Sequence, residues 1–210
     1  MNENMNGFKR TCMNGTINGE TLGTVVSLTG WAMKVRNLGS LLFVDLRDRS
    51  GIVQIVFDSE TTPEVFKKAS KVRNEYVLAV KGEVKRREAV NPKMPTGEYE
   101  VYVSELRILS ESESLPIQID ENFNVSDANR LKYRYLDLRR PLMQKNFILR
   151  HQVAYIAREY FNRNGFLEIE TPMLTKSTPE GARDYLVPSR LHEHKFYALP
   201  QSPQLFKQLL

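Results

Sequence analysis

Three groups of residues have types and spacings suited to chemistry. The first is Arg36, Phe43, Gln54 and Glu100, with Arg47 close by. A ring can stack a base, a guanidinium donates, a carboxylate accepts and an amide does both, which suits the reading of unpaired bases. Gln54 is the odd one out, because it interrupts Ile52-Val-Gln-Ile-Val56, where a buried strand would take an apolar residue. Each has a plain alternative when taken alone: Phe43 as core, Arg36 as a solvated strand end. The second group lies in Thr175-Lys-Ser-Thr-Pro-Glu-Gly-Ala-Arg-Asp184. Pro179-Glu180-Gly181 demands a turn, and Lys176, Glu180, Arg183 and Asp184 put both signs of charge around it. An ordinary charged surface turn reads the same way. The third is Ser202, Gln204 and Lys207. Gln204 and Lys207 are three apart and share a helix face, and a lysine there is a point charge suited to a carboxylate. A solvated amphipathic helix is the plain alternative.

Composition narrows the field. A chain of 210 residues, 41% apolar and 26% charged, fits one or two ordinary globular domains. No apolar run is long enough to span a bilayer, so no membrane partner is expected. Met1 to Arg10 is polar and lacks an apolar signal core, so export is not expected and the cytoplasm is the simplest compartment. Cys12 is the single cysteine, which excludes a disulfide within the chain and disfavours a four-ligand zinc site. His192 and His194 read as exposed loop residues, with weak metal binding as the alternative. The net charge of +5 suits a polyanion partner. The basic residues cluster at Lys34, Arg36, Arg47 and Arg49, at Lys81, Lys85, Arg86 and Arg87, and at Lys132, Arg134, Arg139 and Arg140.

The elements that must position these groups follow from pattern. Residues 24–36, 41–46 and 52–57 read as strands separated by the turns Asn37-Leu-Gly-Ser40 and Arg47-Asp-Arg-Ser-Gly51. Thr62-Pro63-Glu64 opens a helix with Val65, Phe66, Ala69 and Val72 on one face. Residues 76–85 form a fourth strand, Asn91 to Gly97 a loop, and 98–109 an alternating fifth strand. Three strands, a helix and two strands is the order of an OB-fold barrel, an architecture that commonly binds oligonucleotides. Residues 110–126 read as a linker. A helix then starts at Ser126-Asp127, and another follows Pro141 to about Asn164, where Asn164-Gly165 stops it. Its stripe is Leu149, Val153, Ile156 and Tyr160. Residues 166–172 alternate and predict a strand ending at Pro172. Ser202 is placed to cap a last helix with Pro203 at its first position. Leu205, Phe206, Leu209 and Leu210 form its stripe, and no stop signal follows, so the pattern predicts a helix that is cut and a chain that is incomplete.

Three stretches carry a resemblance: Gly39-Ser-Leu-Leu-Phe-Val-Asp-Leu-Arg-Asp-Arg49, Arg130-Leu-Lys-Tyr-Arg-Tyr-Leu-Asp-Leu-Arg-Arg140 and Thr171 through Leu210. From about Arg10 onward the chain resembles the N-terminal portion of bacterial aspartyl-tRNA synthetases, which are class II aminoacyl-tRNA synthetases. The implied fold class is α+β: a five-stranded OB-fold anticodon-binding barrel over 1–109, a hinge over 110–140, and the truncated start of a class II antiparallel α/β catalytic domain over 141–210. The resemblance implies that Phe43 stacks on an anticodon base and that Arg36, Gln54 and Glu100 contact anticodon bases. It implies that the 142–164 helix and the strand ending at Pro172 are motif 1, a homodimer interface. Glu180 would sit near the ammonium group of L-aspartate. Ser202, Gln204 and Lys207 would line the aspartate pocket, with Lys207 on the side-chain carboxylate.

The implied reaction activates aspartate with ATP and Mg²⁺ and transfers it to the 3′ end of tRNA(Asp). Aspartate and asparagine are nearly isosteric, so a buried lysine left without a carboxylate is what disfavours the amide. The arginines of motifs 2 and 3 that hold ATP in the family are missing from this chain. No catalytic residue is therefore assigned in it, and the chain alone is expected to be inactive in adenylation. Two departures stand out. Val35 breaks the basic run that the family usually has before Asn37, and His194 stands where a small residue, often glycine, is usual. The rival readings are a stand-alone tRNA-binding OB module without catalysis and a sister enzyme for asparagine or lysine.

Overall fold

A computed structural model describes residues 3–120, 124–177 and 183–210. The chain divides into two compact units, Met1–Gln118 and Ile119–Leu210.

The first unit is a closed barrel. Its strands are β1 (Val25–Asn37), β2 (Leu41–Arg47), β3 (Ile52–Asp58), β4 (Val77–Arg86) and β5 (Tyr99–Ser110), in the spatial order β1-β2-β3-β5-β4. All neighbours pair antiparallel except β3 and β5, which are parallel and complete the ring. Alternation decides which side chains face inward. Leu42, Val44 and Leu46 of β2 are buried, while Leu41, Phe43, Asp45 and Arg47 between them are half-buried on the outer face. Leu28, Ile55, Phe57, Leu78, Val80, Val84 and Val101 fill the interior with them. Helix α1 (Pro63–Ala69) has its proline in the first turn, as the sequence predicts, and packs on β3 and β5. Ala69 and Val72 are buried, and Val65 and Phe66 lie against the core.

Among the described residues the barrel has three register shifts, of which one is between Val77 and Leu78. The β1–β2 register shifts between Ala32 and Lys34, a bulge that bends the long strand β1. The β4–β5 register shifts between Lys81 and Gly82, where a Cβ on Gly82 would lie 2.2 Å from the Tyr102 carbonyl oxygen. Only glycine permits that approach.

The second unit is described by itself. Ser126 caps α2 (Asp127–Lys132) by accepting from the Asn129 N–H, and a single turn, α3 (Arg134–Asp137), follows. Asp137 is fully buried and accepts from Arg130 Nε at 3.1 Å and Arg134 Nη1 at 2.9 Å, with Arg140 Nη1 at 3.6 Å. Burial pushes the Asp137 carboxyl up, but the hydrogen bond from Arg130 and the three guanidinium charges outweigh it, and the net shift is down. Helix α4 (Pro141–Arg163) runs next and ends at Gly165, whose φ of 80° lets the Phe166 N–H return to the Phe161 carbonyl. A hairpin pairs β6 (Tyr185–Pro188) with β7 (Phe196–Leu199), and α5 (Gln204–Leu209) closes the described chain.

Two expectations need correction here, and one element goes unpredicted. Residues 166–172 alternate as a strand would, yet they are not in one. No partner strand pairs with them among the described residues, and alternation without a partner does not hold a strand. At α5, Pro203 itself stands at the cap position and Ser202 makes no capping bond, so the helix begins one residue later than predicted. The β6–β7 hairpin was absent from the pattern reading. Its turn contains His194 at φ 58°, which accounts for a small residue or glycine being usual there.

The close approach at Gly82 makes a direct prediction. Gly82→Ala forces β4 from β5 and should cost about 1–3 kcal/mol of barrel stability. Chemical denaturation followed by far-UV circular dichroism would show the midpoint falling.

Candidate nucleic-acid interface

The register across the barrel wall lines up two rows of side chains. One is Lys34, Asp45, Gln54, Glu100 and Lys85, each the Cα partner of the next, on β1, β2, β3, β5 and β4. The other, two residues along each strand, is Arg36, Phe43, Val56, Tyr102 and Glu83. Directly paired residues share a face of the sheet, so a polar row and an aromatic row lie side by side on the barrel's outside. A cleft of about 240 Å³ opens over them, lined by Arg36, Phe43, Gln54, Arg87, Glu100 and Tyr102 among others.

The centre of the cleft is a hydrogen-bonded cluster. Gln54 Nε2 donates to Glu100 Oε2 at 2.6 Å. Gln54 Oε1 accepts from Arg36 Nη2 at 2.9 Å and from Arg87 Nη2 at 3.0 Å. Arg36 Nη2 also donates to Asp45 Oδ1 at 2.9 Å, and Arg87 Nε stands 4.0 Å from Glu100 Oε2. Gln54 and Glu100 are 3% and 5% exposed, so this is buried polar chemistry on an outer wall. The amide orientation is thereby set: its oxygen meets two guanidiniums and its nitrogen the carboxylate. Arg36 Nε and Arg87 Nη1 are buried donors without an acceptor among the described residues. Groups of this kind are rarely left unpaired, so water or a ligand's acceptor is expected to meet them.

Burial pushes the Glu100 carboxyl above its usual value, and the Gln54 bond and Arg87 charge pull it back only in part. Burial also raises the Tyr102 phenol, and the Glu100 charge adds to that.

The structure thus brings Arg36, Phe43, Gln54 and Glu100 to one cleft. Phe43 is half-buried on the outer face, not in the core. Arg47 is elsewhere, paired with Glu75 at 2.9 Å. Arg87 and Tyr102 line the cleft and Asp45 accepts from Arg36 beside it, and none of the three is assigned to the site from sequence. For Arg87 the signal was Lys85-Arg86-Arg87 at the end of a strand, but a basic run does not say which member turns inward.

The other predicted residues lie in the second unit. Glu180 falls outside the described residues. Ser202, Gln204 and Lys207 are exposed, with Gln204 and Lys207 on the same helix α5. Pro172 is exposed in irregular chain after α4. Leu149, Val153, Ile156 and Tyr160 of α4 are 58–64% exposed. His192 and His194 are exposed. No helix among the described residues is long and apolar enough to cross a membrane.

The raised Glu100 pKa has a testable sign. The folded barrel holds the Glu100 proton more tightly than the unfolded chain does. Its contribution to stability therefore falls as pH rises from the ordinary carboxylate range through the raised value. Glu100→Gln removes that slope, so thermal midpoints of variant minus wild type should increase steadily from pH 4 to pH 7.

Comparison with known proteins agrees with both units. Residues 26–109 match the family described as OB-fold nucleic acid binding domain, and residues 126–210 match tRNA synthetases class II (D, K and N). An aspartate–tRNA(Asp/Asn) ligase of Caldanaerobacter subterraneus is 60% identical over 212 aligned positions, which cover 100% of this chain and 36% of that protein. An aspartate–tRNA ligase of Ruminiclostridium cellulolyticum is 59% identical with the same coverages. The structure of asparaginyl-tRNA synthetase from Pyrococcus horikoshii complexed with asparaginyl-adenylate superposes with a TM-score of 0.81 at 28% identity, covering 96% of this chain and 45% of that one. The chain spans about a third of the length of the curated relatives it matches. With an OB-fold barrel followed by the start of a class II catalytic domain, it belongs to the class II aminoacyl-tRNA synthetases and corresponds to the N-terminal portion of the bacterial aspartate–tRNA ligases.

Proposed function

We propose that this chain is the anticodon-reading and amino-acid-selecting portion of an aspartate–tRNA ligase. The observation that carries the reading is the Gln54–Glu100 pair, held in place by Arg36 and Arg87 beside the ring of Phe43. A flat base stacks on Phe43. Glu100 accepts from the base edge, Gln54 donates or accepts, and the arginines meet acceptors on the base or its phosphate. The tRNA(Asp) anticodon loop is the partner, since its unpaired bases can splay into a cleft that would exclude a duplex.

The second unit contributes to selecting L-aspartate. Lys207 offers an ammonium to the side-chain carboxylate, with Ser202 and Gln204 beside it and Glu180 on the ammonium group. Asparagine would leave Lys207 unpaired, which penalises it. The whole enzyme uses ATP and Mg²⁺ to form aspartyl-adenylate and passes the aspartyl group to the tRNA 3′ end in the cytoplasm. Among the described residues no cluster of His, Cys, Asp or Glu could hold a metal ion, and no step is assigned to Mg²⁺ on them. The whole enzyme is a homodimer through α4 and the segment ending at Pro172. Support comes from the exposed apolar side chains of α4, which in water favour a covering surface.

Two outcomes test this reading. The 210-residue chain should bind an RNA stem–loop carrying the aspartate anticodon loop, and Phe43→Leu should weaken binding roughly 5- to 150-fold, the range expected for a lost stacking contact. Wild-type affinity in that variant would contradict it. The same chain should give no aspartate-dependent pyrophosphate exchange, whereas a full-length form should.

A further inference from the structure

We propose that Tyr102 is a second base-stacking residue of the barrel, taking the unpaired base next to the one on Phe43. This rests on the reading of the cleft as an RNA site. Phe43 and Tyr102 occupy the same cross-strand row, on β2 and β5, with Val56 of β3 between them. Two strand spacings put their backbones about 10 Å apart. Both rings are half-buried and line the same cleft.

Tyr102 also carries a cation against its ring: Lys85 Nζ stands 4.6 Å from the ring centroid, and the ring lines the cleft that a flat ligand would enter. A ring steadied by a cation loses less freedom when a base lands on it. The Lys85 ammonium beside it can meet the phosphate of the stacked nucleotide. The ligand class is a dinucleotide step of unpaired RNA: one base on Phe43, the next on Tyr102, with the Gln54–Glu100 pair beside both.

The test uses the full 210-residue chain and an RNA stem–loop bearing the aspartate anticodon loop, with 2-aminopurine placed at each loop position in turn. Stacking quenches that fluorophore. In the wild type two adjacent positions should be quenched. Tyr102→Leu should relieve one of them and weaken binding roughly 5- to 150-fold. Phe43→Leu should relieve the other, and Tyr102→Phe should keep both quenched. Tyr102→Val, β-branched and suited to a strand, replaces the leucine variant if that one loses its far-UV spectrum. Wild-type affinity and quenching in Tyr102→Leu, with Phe43→Leu impaired, would overturn the proposal and leave the RNA site standing. Wild-type behaviour in both variants would overturn the RNA reading and this proposal with it.

Discussion

The cleft depends on the parallel pairing of β3 with β5. That contact closes the ring, and it sets Gln54 beside Glu100 across 46 residues of chain. Strand β5 comes last in sequence and enters between β3 and β4 in space. A slip of one residue in either strand would turn Gln54 and Glu100 into the core and Ile55 and Val101 out to water. The apolar interior therefore fixes the register, and the register fixes the site.

A second constraint acts on the polar groups themselves. Burying a carboxylate costs free energy unless its partners are in place. Glu100 has the Gln54 amide and the Arg87 guanidinium near it, and still its proton is held above the usual range. The partners make burial tolerable without making it free. Such a group is poised to gain from a ligand donor. The same holds for the arginines, each with a buried donor left open toward an acceptor. An apolar wall would have closed the barrel as well, so on the proposed reading the cluster is preorganised for an incoming base.

Much of the barrel was legible because its signals are local. Alternation placed Val101 and Val103 inward, and the proline at position 63 opened α1 where it stands. Gln54 advertised itself by interrupting an apolar strand. Arg87 and Tyr102 did not, because their meaning lies in which strands become neighbours, and no spacing in the chain encodes a parallel β3–β5 contact. The segment 166–172 misled for the opposite reason: its pattern is that of a strand, but a strand needs a partner. The hairpin of β6 and β7 was hidden by short strands whose side chains are mostly exposed, so no clean alternation marked them.

In the barrel, apolar packing sets geometry, and a few charged groups lie where a ligand would offset the cost of burying them. The most direct test is a two-dimensional amide spectrum of the chain titrated with an RNA stem–loop carrying the aspartate anticodon loop. The account predicts that shifts concentrate at Arg36, Phe43, Gln54, Arg87, Glu100 and Tyr102, around the cleft on the barrel's outer face. Shifts centred instead on the Arg47–Glu75 pair or on α1, with those residues unmoved, would contradict it.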